Sequence, residues 1–327
     1  TANESQIKKL SLVALVVQNT AVVIFMRASR LTKGDMYITS TAVVTGELMK
    51  LLVCIGIIFK ERRFDVQATT QHLKEQIFDN LADTMKLSVP AIMYTLQGNL
   101  LYVAISNLDA ATYQVTYQLK ILTTAIFSVW MLGKHLTNFK WLSLFILMSG
   151  VALVQIPTGD TKKEVIVGNQ MLGLFAVLAA CCSSGFAGVY FEKILKGTSA
   201  SIWIRNVQLG SFGFIIGMVV VAINDYSAVV QNGFFYGYTP LVWLVITLQA
   251  AGGLIIAVVV KYADNILKGF ATSVSIILAS IISVIFFDFQ PTTLFLLGAS
   301  MVIGAVGMYS RPDPPAAPVL PTEMLLK

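Results

Sequence analysis

Three lysines stand where lysines are expensive. Lys50, Lys120 and Lys268 each lie within a long apolar run of the chain. An ammonium group at bilayer depth costs about 2.5–3.5 kcal/mol on insertion scales, so each needs a partner or a task. Lys50 follows Glu47 by three residues, which puts both on one helical face. Two readings of this pair stay open: an ion pair that lowers its own insertion cost, or one that breaks and re-forms as a gate moves. Lys120 has no acid at helical spacing, and its face carries Tyr113, Tyr117 and Thr124. An unpaired ammonium among aromatic rings suits a phosphorylated ligand with a flat base, charge serving the phosphate and stacking the ring. Lys268 begins a second polar stripe with Thr272 and Ser275, four residues after Asp264. Its plainer account is capture by backbone carbonyls or snorkelling toward the interface.

Other polar groups converge on the same apolar regions. Tyr94, Gln97 and Leu101 share one face, with Gly98 and Asn99 beside them. The run from Ser183 through Ser184, Gly185 and Phe186 to Gly188 is small enough to leave backbone within reach of a ligand. Asn206, Gly210, Gly213 and Gly217 line one face of a further run. Close packing of small residues is the plainer account of these glycines, within one chain or between the two copies of a homodimer. The two histidines, His72 and His135, fall in loops, and Cys54, Cys181 and Cys182 sit inside apolar runs. No nucleophile–base arrangement, carboxylate pair or metal motif accompanies them, so no catalytic residue, metal or cofactor is expected.

The elements that must position these residues are membrane spans. The chain is 56% hydrophobic and 12% charged, against about 25% charged in soluble domains. Breaks at charged or Gly/Pro-rich points predict an all-α, polytopic membrane protein of ten transmembrane helices. They cover residues 10–26, 38–59, 87–105, 110–132, 141–156, 171–191, 202–223, 241–262, 266–287 and 293–309. The first run lacks a small-residue cleavage site and ends in Arg27 and Arg30, so it reads as a span. The net charge of +6 sits in short loops, which argues against nucleic acid as a partner and for the lipid bilayer. Lys and Arg gather with the termini and the even-numbered loops, so both termini are expected in the cytosol. Within the charged stretch 60–83 a surface helix is expected around Gln71 to Lys74, and the Pro-rich tail 311–327 is expected to be disordered.

Comparing the halves lays Asp109 on Asp264, Ser128 on Ser283 and Val129 on Val284. Five spans per half is an odd number, which forces the halves into opposite orientation, a plan common in transporters. The expected organisation is a first five-helix repeat over 1–156, a lumenal linker over 157–170, a second repeat over 171–310 and the cytosolic tail.

Three motifs then carry a resemblance. The run from Asn107-Leu108-Asp109 through Tyr113 and Tyr117 to Lys120, the run Ser184 to Lys193, and the run Lys261 to Phe270 resemble the Golgi nucleotide-sugar transporters. The branch is that for UDP-galactose, UDP-N-acetylglucosamine and CMP-sialic acid, and the likeness extends from Leu10 to Tyr309. It implies the drug/metabolite transporter fold, a multi-pass Golgi protein that is not an enzyme, and exchange of a nucleotide sugar for a nucleoside monophosphate. It also implies Lys120 and Lys268 on phosphate, Tyr94, Tyr113 and Tyr117 around base and ribose, and Gln97, Ser184, Gly185, Asn206 and Gly210 as further contacts. Two positions depart or discriminate. The family's Gln-Asn-Asn is Gln97-Gly98-Asn99 here, and Gly210 stands where CMP-sialic acid carriers have tyrosine. The stretches Lys196 to Ser199 and Gly237 to Pro240 resemble the UDP-galactose carriers, so UDP-galactose and UMP are the expected partners, with UDP-N-acetylglucosamine as the alternative.

Overall fold

The structure is a computed structural model that describes residues 2–31, 36–108, 110–156, 169–286 and 291–311. The expectations for Asp109, for most of the 157–170 linker and for the tail beyond Arg311 lie outside the described residues. The described chain is helical, without a strand. Its helices are α1 Ala2–Leu31, α2 Thr39–Glu61, α3 Val66–Leu73, α4 Leu81–Met85, α5 Ser88–Asn107, α6 Ala110–Tyr117, α7 Lys120–Leu132 and α8 Asn138–Gln155. The second half supplies α9 Gln170–Gly197, α10 Ile202–Asn224, α11 Tyr226–Asn232, α12 Pro240–Tyr262, α13 Asn265–Phe286 and α14 Thr293–Tyr309. Polar residues start several of them by accepting a hydrogen bond from the first turn: Asn169 for α9, Ser201 for α10, Thr239 just before Pro240 for α12, and Thr292 for α14.

The protein is a polytopic all-α membrane protein. Seven helices, α1, α2, α8, α9, α10, α12 and α13, are long and apolar enough to cross a bilayer. That is seven and not the ten expected as uninterrupted spans. The apolar α7 and α14 are shorter than that standard. The expected span 110–132 is broken between α6 and α7. There the Leu119 amide donates to the Thr116 carbonyl at 3.0 Å and the Ile121 amide to the Gln118 carbonyl at 3.0 Å, so the backbone tightens for one turn. The Cys181 thiol of α9 donates to the Tyr117 carbonyl at 3.5 Å, answering a group that a continuous helix would have satisfied itself. Outward faces are apolar throughout, with Trp130, Ile223, Ile285 and Ile303 mostly exposed, as lipid contact requires.

The largest helix pairings are α5 with α9, α8 with α14, α2 with α10, α1 with α12, α7 with α9 and α1 with α13. Without a hydrophobic force between helices in lipid, close backbone approach must hold them. At the α8–α14 crossing a Cβ on Gly298 would lie 2.6 Å from the Gly150 carbonyl oxygen, and one on Gly150 2.9 Å from that of Gly298. Gly217 meets Val44, Gly213 meets Glu47 and Gly210 meets Leu51, so the α10 glycine face packs on α2 of the same chain. This internal packing accounts for the stripe.

The stretch between α2 and α5 folds back on the bundle. The surface helix expected around Gln71 is present as α3, continued through Phe78 by a wider turn. Asp83 accepts from the Arg205 guanidinium at 2.5 Å and from Lys86 at 3.0 Å. Arg205 is 1% exposed and also donates to Gln208 at 2.8 Å. Gln208 in turn donates to Thr84 at 2.8 Å. Burial pushes the Asp83 carboxyl up, but the hydrogen bonds and charges of Arg205 and Lys86 outweigh it and hold the group below its ordinary value.

Two measurements follow from this packing. Gly298→Leu is expected to lower the unfolding temperature in detergent by an amount equivalent to about 1–3 kcal/mol of overpacking. Gly304→Leu, whose Cβ meets open space, should leave it unchanged. A carboxyl depressed on folding contributes stability above its unfolded value and loses it as pH falls through the folded one. Asp83→Asn should therefore remove a destabilisation of about 1 kcal/mol that the parent shows below about pH 4, read from thermal unfolding across pH.

Candidate functional site

Two cavities meet between the helices. The larger, of about 970 Å³, is lined by Tyr94, Thr95, Gly98 and Asn99 of α5, Glu47 and Lys50 of α2, Asn206 and Gly213 of α10, and Lys268 of α13. Its lining reaches residues 36–40 before and at the start of α2, and Asp225 at the end of α10. There the Ser40 hydroxyl donates to Asp225 at 2.5 Å. The smaller, of about 280 Å³, is lined by Asn19, Gln118, Lys120, Thr124, Ser184, Asn265, Lys268 and Thr272. Lys268 and Ile256 line both, so the two are neighbouring parts of one space.

The two lysines that spacing singled out thus face a common cavity. Lys120 opens α7 directly after the break, rather than lying in mid-helix, and its ammonium sits 4.2 Å from the centre of the Tyr117 ring. Tyr113 and Tyr117 stack with ring centres 5.8 Å apart and planes 8° from parallel. Gln97 donates to the Tyr117 hydroxyl at 2.8 Å. Tyr113 and Tyr117 pack against the α5–α9 core around Leu108 and Val177, and neither they nor Gln97 is among the residues lining either cavity. Their observed task is to seat Lys120.

Ser184 lines the smaller cavity, and Tyr94 and Asn206 the larger. Gly185 and Gly210 line neither. Gly185 lies against the Thr123–Thr124 backbone of α7, where a Cβ would come within 2.9 Å, and Gly210 lies under Leu51. Both were expected as ligand contacts, and packing explains both. Glu47 and Lys50 form an ion pair of 2.7 Å on the cavity wall. A Cβ on Gly213 would press on the Glu47 carboxylate and one on Gly253 on the Lys50 stem.

Sequence reasoning missed the far end of the site. Glu192 of α9 is 0% exposed and accepts from Lys134 and Lys196, each at 2.9 Å. It also accepts from the Asn265 backbone at 2.9 Å and side chain at 3.2 Å. Lys134 reaches Asp264 as well, at 3.3 Å, and Asp264 caps α13 through the Leu267 amide at 2.7 Å. Asn265 donates further to the Gly188 carbonyl. This cluster ties α9, the α7–α8 connection and the start of α13 together. It lies at the end of the bundle bearing the α9–α10 connection, whereas Asp225 lies a full α10 away, about 34 Å along its axis. The large cavity therefore reaches one end of the bundle, and the other is fastened. A carboxylate inside an apolar run was the available signal for Glu192; the lysines it answers were visible only as loop charges. Asn19 and Asn265 gave no signal, because single amides near span ends are common.

Among the described residues no group of His, Cys, Asp and Glu is placed to hold a metal. The arrangement can bind an elongated polar anion between α-helices, with its charge over Lys120 and Lys268.

The model of the nucleotide-sugar transporter family matches residues 3–310. The UDP-N-acetylglucosamine transporter of Mus musculus is 56% identical over 318 residues, covering 95% of this chain and 98% of that protein. The UDP-galactose translocator of Mus musculus is 52% identical over 313 residues, 95% of this chain and 80% of the translocator. One solved crystal structure superposes with a TM-score of 0.65 at 11% identity, covering 93% of this chain and 97% of its own, which speaks for the fold alone. The chain belongs to the nucleotide-sugar transporter family.

Removing one partner of a buried ion pair costs about 3–5 kcal/mol. Glu192→Gln, which leaves Lys134 and Lys196 facing a neutral amide, is expected to lower the detergent unfolding temperature far more than the exposed control Lys193→Gln.

Proposed function

We propose that this protein is an antiporter that exchanges a UDP-sugar for UMP by alternating access. The observation that carries the reading is the pair Lys120 and Lys268 on one polar space, continuous with a cavity of about 970 Å³. A nucleotide sugar and its nucleoside monophosphate share base, ribose and a phosphate, so one site can hold either. A carrier that re-orients only when loaded must then exchange one for the other. UDP-N-acetylglucosamine takes precedence over UDP-galactose, reversing the order the sequence motifs suggested, because the relatives named for it are more similar over nearly their whole length.

In this reading α5, the broken α6–α7 pair and α14 join the seven long helices to make ten spans. The halves 1–156 and 171–310 are inverted repeats, both termini face the cytosol and the membrane is that of the Golgi. The helix pairings support the repeat. Exchanging α1, α2, α5, α6–α7 and α8 for α9, α10, α12, α13 and α14 turns α5–α9 into α12–α1 and α7–α9 into α13–α1. The α2–α10 and α8–α14 pairings map onto themselves. With that topology the large cavity reaches the lumenal end and the Glu192 cluster fastens the cytosolic one.

The test is uptake into proteoliposomes loaded with UMP, with CMP or with buffer. UDP-N-acetylglucosamine uptake should be stimulated by internal UMP, UDP-galactose less and CMP-sialic acid not at all. Lys120→Ala and Lys268→Ala should each abolish exchange in protein that still folds. Uptake indifferent to internal UMP would sink the exchanger, and retained UMP binding in both variants would sink the phosphate assignment.

A further inference from the structure

We propose that the smaller cavity is also a site for a free inorganic oxyanion, phosphate foremost, held by Lys120, Lys268, Asn19 and Ser184 while no nucleotide is bound. The proposal rests on the reading of the two lysines as phosphate binders and adds a ligand and a residue to it.

The charge balance of the buried lysines motivates it. Lys50 has Glu47 at 2.7 Å, and Lys134 and Lys196 share Glu192 at 2.9 Å. Among the described residues no carboxylate lies within ion-pair distance of Lys120 or Lys268, and both line the same cavity of about 280 Å³. The Tyr117 ring offsets part of the Lys120 charge and none of that of Lys268. Two ammonium groups of like sign at bilayer depth repel, and an anion between them relieves both.

The neutral lining decides what kind of anion fits. The hydroxyls of Thr124, Thr272 and Ser273 donate to carbonyls of their own helices at 2.7, 2.8 and 2.9 Å, so they turn lone pairs toward the cavity. Asn19 and Ser184 line it with their donors uncommitted among the described residues. Two charged and two neutral donors match the acceptor capacity of a tetrahedral oxyanion, whereas chloride has no oxygens to distribute among them. The volume accommodates such an ion with several waters, each of about 30 Å³. Free phosphate then occupies the ground where the nucleotide's phosphate sits and competes with it.

The experiment uses the full chain in detergent and reads two signals. One is the unfolding temperature in potassium phosphate, potassium chloride or uridine at matched ionic strength; the other is displacement of radiolabelled UMP by the same solutes. Phosphate alone is expected to raise the unfolding temperature and to displace UMP competitively. Lys268→Met should abolish the phosphate effect, and Asn19→Leu should weaken it about tenfold, as loss of a hydrogen bond to a charged ligand does. Ser184→Ala serves the same purpose should Asn19→Leu fail to fold. Equal effects of phosphate and chloride mean ionic screening only and overturn the proposal. No phosphate effect alongside normal UMP binding also overturns it and leaves the nucleotide reading standing. Absence of UMP binding itself defeats the nucleotide reading, and the phosphate-dependent unfolding temperature still decides this one.

Discussion

A charge taken out of water into hydrocarbon must be answered within the protein or by what the protein binds, and the helices are arranged around the ways this chain answers. Lys50 is neutralised within its own turn by Glu47. Lys134 and Lys196 converge on Glu192, a carboxylate with no exposure at all, and this draws three segments into one knot. Lys120 and Lys268 have an aromatic ring and polar neighbours but no acid among the described residues. The first two solutions are structural and close on themselves. The third closes only around an anion, which is why the cavity and not the knot is the functional centre.

That electrostatic requirement sets demands on packing. To bring α7, α9 and α13 close enough to share a cavity wall, α9 gives up side chains at Gly185 and Gly188, which lie against the α7 backbone and Asn265. The break before Lys120 serves the same end, since it sets the lysine at the start of a new helix, and the exposed carbonyl is taken by Cys181. The glycine pair Gly150 and Gly298 lets α8 and α14 cross at backbone distance, away from the cavity. Small residues thus do different work at different places: some close helix crossings, some lie under a buried ion pair, and Gly98 leaves cavity space where a Cβ would meet nothing.

Family membership and geometry bear on different halves of the ligand. The match to nucleotide-sugar transporters covers nearly the whole chain. The lysine pair concerns the phosphate, which every such ligand carries. Discrimination between sugars belongs to the larger cavity, where Asn99, Asn206 and the Ser40–Asp225 contact supply the polar groups.

The sequence by itself determined the membrane class, the approximate helices and the two lysines, because a long apolar run and a charge inside it are local facts that need no neighbours. It also carried the surface helix near Gln71, from a charged stretch between spans. Helix length was less legible: the turn at Gln118 and Leu119 holds neither glycine nor proline, so nothing local marks the break, and a polar α5 hides among apolar runs. The roles of Tyr113, Tyr117, Gly185 and Gly210 were decided by tertiary structure alone. A face that a helix presents can be read from spacing, but whether a cavity or another helix lies opposite depends on where the partner helix runs. The same holds for Glu192, whose partners come from segments 58 and 73 residues away. The lysines were conspicuous because charge in hydrocarbon is costly anywhere; that Lys120 and Lys268 share one cavity, and lack the acid that Lys134 found, follows only from the packing of α7 and α13 around it.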